Sequence, residues 1–364
     1  MAMADEHTEH EQQPEQLAER VLEATLGALD MFSIYVGDRL QYYPLLLEHG
    51  PLTSAQLAER AGTIERYTRE WLEHQAVTGI VAVTGTDPSG QRRFVLSEGY
   101  GAALTDPRHE AYAPGLVRQI LAAGYQLRAI ADAHRSGGGV PWSQYGEEMR
   151  QAQGDMNRPF LENVLARDWL ASIPALDQLL SRGAKVADIG TGHGWSAIGI
   201  AREYPLVTVD GYDLDEPSVA AAREHAEAQG VADRVRFCVA DAADPDLQGN
   251  YDLVTTFEVI HDLPDPVSTL ATMRRIAAPE GWVVVMDMKV ADAFDPDAGD
   301  LERLMYGFSN FICLPDGMSH PNTVATGTVM RPDTLRRYAK GAGFSDIEVL
   351  PIETDSWRFY RMLR

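Results

Sequence analysis

From Lys185 to the C-terminus, short apolar runs alternate with helical stretches, and this alternation limits the fold more than any other feature of the chain. The runs are Lys185–Gly190, Leu206–Asp213, Arg234–Asp241, Tyr251–Ile260 and Gly281–Val290. After one more helix come Ile347–Ile352 and Trp357–Leu363. Strands separated by helices cannot pair as hairpins, so they predict a largely parallel sheet covered on both faces. The two closing runs predict a terminal hairpin, which puts one antiparallel strand into that sheet. The fold class is therefore α/β, a doubly wound sheet over 181–364.

The N-terminal part reads differently. Residues 1–16 are polar and acidic and are expected to form a disordered tail. Residues 17–105 predict a winged helix. A long helical pattern over 17–50 is followed by a short helix Ala55–Ala61, capped by Thr53 or Ser54 and closed by Gly62. Next come a helix Ile64–Thr78 and two strands, Ile80–Val83 and Arg93–Leu96, around the turn Thr86–Gly90. Residues 106–180 predict a mainly helical linker, interrupted at Gly137-Gly138-Gly139-Val140-Pro141.

Charge excludes some partners. The chain carries a formal net charge of −23. Residues 1–105 hold seven arginines, no lysine and sixteen acidic residues. The helix that would read DNA contains Glu65, Arg66, Arg69, Glu70 and Glu73, with no basic face for phosphates. Nucleic-acid binding is not expected, and a ligand-sensing regulator is the least favoured function class. The start of the chain lacks the basic and apolar regions of a signal peptide, and no apolar run reaches 18 residues. With only Cys238 and Cys313, no disulfide scaffold is expected. These features together predict a cytoplasmic protein with no membrane partner.

The most specific motif is Asp188-Ile189-Gly190-Thr191-Gly192-His193-Gly194, which follows a strand and opens a helix. Its glycines permit a sharp turn and a close backbone approach to a ligand. A dinucleotide fingerprint would need a small residue where Trp195 stands, which disfavours NAD. The next strand ends at Asp213-Leu214, where a carboxylate can take both ribose hydroxyls. The third strand ends at Asp241-Ala242, where an acid can accept from an adenine amino group. The fourth strand carries Phe257, placed to line an adenosine. Asp188 is positioned to receive the amino group of a methionyl moiety. A lone Gly-x-Gly-x-Gly is weak; four pieces in this order are not.

This order resembles that of class I S-adenosylmethionine-dependent methyltransferases, whose seven-stranded Rossmann-like sheet has its last strand antiparallel. With the N-terminal winged helix, the chain is similar over nearly its whole length to plant-type and actinobacterial O-methyltransferases. The resemblance implies homodimerisation through the N-terminal domain, which also roofs the substrate pocket in that family. Phe32, Ile34, Tyr35, Tyr42 and Tyr43 are apolar enough to serve.

In that family a histidine after the fourth strand is the general base, and His261 in His261-Asp262 matches it, with Asp287 as a flanking acid. The second flanking acid should fall near Val329 or Met330, and neither is acidic. A second pattern includes His320, 59 residues beyond His261. Two histidines and a carboxylate can form a facial triad for iron, zinc or a similar divalent metal. His261, Asp262 and His320 look like the ligand set of metal-dependent C-methyltransferases that act on 2-oxo acids in peptide-antibiotic pathways. There the metal acidifies the β-carbon of the chelated substrate. Two enzyme readings stand: metal-dependent C-methylation of a 2-oxo acid, and metal-free O-methylation of an aromatic or polyketide hydroxyl with His261 as base. Expected substrate contacts are Arg158, with Arg118 and Arg128 as alternatives for a carboxylate, and Trp142, Tyr145, Met305, Phe308 and Met318 as apolar walls.

Overall fold

A computed structural model describes residues 14–364. Most of the tail expected over 1–16 lies outside the described residues; Pro14–Gln16 instead open the first helix. Proline suits a helix start, where its missing N–H has no partner to lose. The chain divides into two compact units, the first ending at Asp106 and the second spanning Pro107–Arg364. The helical segment read as a linker belongs to the second unit. Among the described residues no helix is long and apolar enough to cross a membrane.

The first unit contains α1 (Pro14–Arg39), α2 (Tyr42–His49), α3 (Ser54–Ala61), α4 (Glu65–Val77), β1 (Ala82–Thr86), β2 (Arg92–Val95) and α5 (Glu98–Thr105). The continuous helix expected over 17–50 breaks at Gln41, which adopts a left-handed φ of 57°. Thr53 and Gln56 form a reciprocal capping box at the start of α3, worth about 1 kcal/mol. Tyr42, Tyr43, Leu46, Leu57, Leu72 and Phe94 are buried together with Trp71. Tyr43 donates to Gln75 at 2.7 Å within this core. Tyr42 and Tyr43 are thus committed to their own unit and are not available as a dimer surface. Helix α1 is the opposite case. Leu22, Leu26, Leu29, Val36 and Leu40 recur at intervals of three, four and seven, and each is at least 40% exposed.

The second unit begins with α6 (Pro114–Gly124), α7 (Leu127–Ser136), α8 (Trp142–Asn163), a π-helical turn at Leu165–Leu170, and α9 (Pro174–Ser181). Helix α8 is interrupted at Gly146, where φ is 81°. The alternating part follows: β3 (Lys185–Ile189), α10 (Trp195–Glu203), β4 (Thr208–Asp213), α11 (Glu216–Ala228), β5 (Val235–Val239), β6 (Tyr251–Phe257), α12 (Pro266–Ile276) and β7 (Ala277–Met288). Then come α13 (Gly299–Phe308), a second π-helical turn at Ser309–Cys313, α14 (Leu314–Met318), α15 (Pro332–Gly341), β8 (Asp346–Val349) and β9 (Trp357–Leu363).

The seven strands lie in the order β5-β4-β3-β6-β7-β9-β8. All are parallel except β9, which runs antiparallel to both β7 and β8. Chain direction across the sheet reverses between β3 and β6, and such a switch point opens a crevice beyond the strand ends. Period-two alternation divides the core. Val186, Leu253, Phe257, Val284 and Met286 face α9, α10 and α11. Ala187, Ile189, Val254, Val283 and Val285 face α12 and α15. A third cluster, from Ala122, Ile130, Tyr145, Met149, Met288, Met305, Phe308 and Ile312, joins α6, α7, α8 and α13 beside the end of β7.

Candidate active site

The glycine turn is held from beneath by Asp188. The same alternation that puts Val186 on the α10 face puts Asp188 there, and it is 1% exposed. Its Oδ2 accepts from Thr191 Oγ1 at 2.9 Å and Ser196 Oγ at 2.5 Å, and its Oδ1 accepts from Thr255 Oγ1 at 2.9 Å. Burial pushes this carboxyl up to about 6 against those hydrogen bonds. Both oxygens are engaged under the loop, so Asp188 acts as its anchor. Three donors use three of its roughly four lone-pair sites, which leaves one for the role expected of it, receiving a methionyl amino group.

Gly190, Gly192 and Gly194 all have positive φ. A Cβ on Gly194 would lie 2.5 Å from Phe237 Cζ, so that glycine is required by packing. A Cβ on Gly192 would meet nothing within 4 Å. The open side of the turn is therefore at Gly192, the place for a ligand. Gly192 N–H donates to Asp213 Oδ2 at 2.8 Å, and Asp215 N–H donates to Asp213 Oδ1 at 2.9 Å. Burial raises the Asp213 carboxyl. Leu214 beside it is 65% exposed, an apolar residue free to lie against a planar ring. Asp215, the weaker ribose candidate, caps α11 through Ser218 and accepts from Arg150 at 2.8 Å. Asp241 is exposed and closes its own turn onto Ala243 N–H, with Ala242 half-buried next to it. Phe257 does not line this side: it falls on the α10 face of β6 and is buried in that core.

Helix α8 lies along the loop. The ring of His193 packs where a side chain on Gly154 would stand, so glycine is needed there. Burial pushes the His193 imidazole down to about 4. Trp195 is sandwiched between the Arg158 guanidinium, 4.0 Å from its ring centre, and the His225 ring at 4.2 Å. Arg158 also pairs with Glu162 at 2.6 Å. That ion pair and the ring occupy it, so it is not the substrate arginine expected. Arg118 is buried against Tyr112 and Asp155, and Arg128 is exposed on α7.

The reaction centre forms where β6 and β7 end. His261 is buried, and its Nδ1 lies 2.6 Å from Asp287 Oδ1. Its Nε2 lies 3.3 Å from Asp262 Oδ1. Burial works against the charged ring, but the Asp262 and Asp287 carboxylates prevail and hold the imidazole well above its ordinary value. Asp262 thus supplies the second flanking acid that Val329 and Met330 cannot; Met330 is buried in the α12–α15 core. The second π-helical turn brings in Cys313, for which the sequence carried no signal. Its thiol is pushed up to about 12 by burial and by Asp262. Ligand atoms of His261, Asp262 and Cys313 all lie within 4.8 Å of one another. Asp262 Oδ1, Asp287 Oδ2 and Thr328 Oγ1 are buried without hydrogen-bond partners.

His320 does not join this group. It follows α14, its Nε2 lies 3.9 Å from Asp316 Oδ1, and its side chain is 40% exposed. Asp316 accepts from the Trp142 backbone at 2.7 Å. That bond fixes α14 and leaves His320 facing Asp316, while the π-helical turn puts Cys313 in its place. Tyr145 donates to the Phe311 carbonyl at 2.8 Å and, with Met305 and Phe308, is buried in the third cluster. Trp142 packs half-buried against that cluster, and Met318 is half-buried on α14. Glu258 is a further residue of note. It is non-glycine at a φ of 59°, accepting from Asn157 at 2.7 Å and from the Trp357 indole.

Residues 180–325 match a family model described as a methyltransferase domain, and residues 27–106 match an Rv2258c-like winged HTH domain. A ubiquinone biosynthesis O-methyltransferase of Pseudomonas aeruginosa is 36% identical over 101 residues, covering 28% of this chain and 43% of that protein. The chain spans about half or less of the curated relatives it matches. Human N-acetylserotonin methyltransferase in complex with SAM superposes with a TM-score of 0.70 at 18% identity, over 98% of this chain and 99% of that one. The mitomycin 7-O-methyltransferase MmcR gives 0.69 at 19%, over 96% and 98%. The architecture is that of a Rossmann-like methyltransferase sheet with an N-terminal winged helix.

Proposed function

We propose that the protein is an S-adenosylmethionine-dependent methyltransferase that methylates a hydroxyl group of a small molecule, with His261 as the base. The observation that carries this is the 2.6 Å contact between His261 Nδ1 and Asp287 at the strand ends. Asp287 fixes the tautomer, so Nε2 is the ring atom left to take a proton. The cofactor supplies a methyl group on a sulfonium. Gly192 gives its methionyl end room, Asp213 serves the ribose hydroxyls, and Leu214 with Asp241 and Ala242 serves the adenine. The matched proteins named as O-methyltransferases support oxygen as the acceptor.

A second reading, metal-dependent C-methylation of a 2-oxo acid, is favoured by one specific observation. Asp262 Oδ1 is buried without a hydrogen-bond partner beside His261 Nε2 and Cys313 Sγ. Nitrogen, oxygen and thiolate donors suit zinc or iron. Asp287 behind the ring would orient the ligand nitrogen. The ligand set is then His261, Asp262 and Cys313, not one completed by His320. A metal there supplies Lewis acidity toward a keto oxygen.

The test is a calorimetric titration with S-adenosylmethionine, then methyl-transfer assays on phenols and on 2-oxo acids with and without chelator. Transfer to a phenol, unaffected by chelator and lost in His261→Gln, is expected. Chelator-sensitive transfer to a 2-oxo acid would establish the second reading, and absence of cofactor binding would overturn both. We further propose that two copies associate through the exposed apolar stripe of α1. The acidic winged helix then serves assembly and not DNA recognition.

A further inference from the structure

We propose that the acceptor molecule carries an ammonium group as well as its hydroxyl, and that Asp316 on α14 holds that group while His261 takes the hydroxyl proton. The inference deepens the hydroxyl-methylating reading above and rests on it. It begins from the charges around the reaction centre.

The basic side chains near the centre are already committed. Arg118, Arg150, Arg158 and Arg331, which α6, α8 and the start of α15 contribute, are each paired with a carboxylate within 3.0 Å. Lys289, two residues beyond Asp287, is exposed and donates to the Thr354 carbonyl at 2.8 Å. The acidic side chains are the opposite case. Asp287 is 2% exposed at its side chain, and its Oδ2 has no hydrogen-bond partner; Asp262 Oδ1 also lacks one. Thr328, itself 2% exposed, adds a buried hydroxyl without a partner. It adjoins Cys313, and Gly327 before it donates to the His261 carbonyl at 3.1 Å. Buried polar atoms are rarely left unpaired, so these mark where a bound molecule supplies donors.

Asp316 extends this acidic lining. A Cβ on Gly317 would lie 3.7 Å from the Asp262 carbonyl oxygen, so α14 is laid against the residue after His261. Asp316 Oδ1 accepts from the Trp142 N–H at 2.7 Å, and Oδ2 makes no hydrogen bond among the described residues. His320 Nε2, 3.9 Å from Oδ1, is beyond hydrogen-bond reach. Burial, and after it the Asp262 carboxylate, push the Asp316 carboxyl up to about 6. Two carboxylates that repel one another are relieved by a cation between them. The half-buried Trp142 ring, 6.3 Å from that of Tyr145, adds an aromatic face beside Asp316, which also favours a cation. A carboxylate on the acceptor would meet the same groups as repulsion.

An ammonium group held here also decides which atom is methylated. While protonated it has no lone pair and cannot compete for the methyl group. The acceptor hydroxyl gives its proton to His261 Nε2 and forms the C–O bond as the sulfonium C–S bond breaks. Asp316 keeps the nitrogen charged throughout.

The test is methyl transfer to 4-hydroxyphenyl compounds whose side chain of one to three methylenes ends in an amine, an alcohol or a carboxylate. Wild-type protein should favour the amine over the alcohol by at least about tenfold in kcat/KM at the best length, the scale of one charged hydrogen bond. The carboxylate should be the poorest acceptor, and the product from the amine should be the methyl ether with its nitrogen unmethylated. In Asp316→Asn the amide oxygen can still accept from Trp142, so the variant removes the charge and keeps the support of α14. Its amine-to-alcohol ratio should fall about tenfold or more, and Asp316→Glu should restore part of it. The proposal is overturned if wild-type protein favours the alcohol or the carboxylate, or methylates nitrogen. It is also overturned if Asp316→Asn leaves the ratio unaltered or lowers both rates equally, which marks a structural role. Should Asp316→Asn misfold by near-ultraviolet dichroism, Asp316→Ser replaces it and must lower the same ratio. Protein that binds S-adenosylmethionine yet methylates none of the amines overturns this proposal alone; protein that does not bind it refutes the methyltransferase reading itself.

Discussion

Replacing Asp188 by asparagine should change how stability depends on pH. In the folded chain burial lifts this carboxyl from 3.8 to about 6. Between those values the folded state keeps a proton that the unfolded state releases. Stability from this group is therefore complete below about pH 4 and is lost as pH rises through 6. At about 1.4 kcal/mol per pH unit the total is roughly 3 kcal/mol. Asparagine cannot titrate, but it keeps an acceptor oxygen, and the hydroxyls of Thr191, Ser196 and Thr255 can reorient to its amide. Urea unfolding at low protein concentration from pH 4 to 8, followed by tryptophan fluorescence, gives the measurement. Five of the six tryptophans lie in the second unit, so the signal reports mainly there. The wild-type stability minus that of Asp188→Asn should fall by roughly 3 kcal/mol across the range. A difference that is flat in pH would refute the assignment of Asp188 as a buried, raised carboxyl anchoring the loop.

Other perturbations separate packing from chemistry. Gly194→Ala, at a φ of 80° and 2.5 Å from Phe237, should cost about 2–4 kcal/mol in thermal or urea unfolding. Gly192→Ala meets no atom within 4 Å but sits at a φ of 51°, so it should cost about 1–2 kcal/mol of stability through backbone strain and otherwise act on cofactor affinity. Asp213→Ala should weaken S-adenosylmethionine by about 1.5–3 kcal/mol in calorimetry; an unchanged Kd would remove the ribose assignment. In the pH profile of kcat/KM the acid limb belongs to His261, held above its ordinary value by Asp262 and Asp287. Asp287→Asn should move that limb to lower pH while reducing the plateau rate, because the tautomer is no longer fixed. Leu26→Glu with Leu29→Glu on α1 should leave a folded monomer in light scattering if the stripe joins two copies.

The strands of the C-terminal sheet were legible because each is a short apolar run bounded by a helix, and their residues alternate between two buried faces. The same alternation exposes the misplacement of Phe257. Position along a strand end was readable, but which face the ring took required the register with β7. Asp213, Leu214 and the glycines could be found from spacing alone because they are local to one strand-turn-helix unit. His261 and Asp287 stand on neighbouring strand ends and were found from order. Cys313 was not, because a π-helical turn shifts the face a residue presents, and no sequence pattern marks such a turn. Arg158 has the right chemistry, yet Glu162 and Trp195 already hold it, and His320 stands 40% exposed after α14, outside the group of His261, Asp262 and Cys313. Asn157 and Trp357 lie 101 and 99 residues from Glu258, a separation over which only the folded chain brings them together.

Helix α8 sets a limit on how such an enzyme can be recombined. Its residues Tyr145 and Met149 belong to the apolar cluster beside β7, while Arg150, Gly154, Asn157 and Arg158 are fitted to the glycine turn and its neighbours. A chimera that exchanges the helical segment before β3 to import a new acceptor preference also imports a new set of supports for the cofactor loop. The clean junction therefore lies inside α8, at the Gly146 break or just after Met149. A graft made there carries over the apolar wall and keeps the four residues that this particular loop requires.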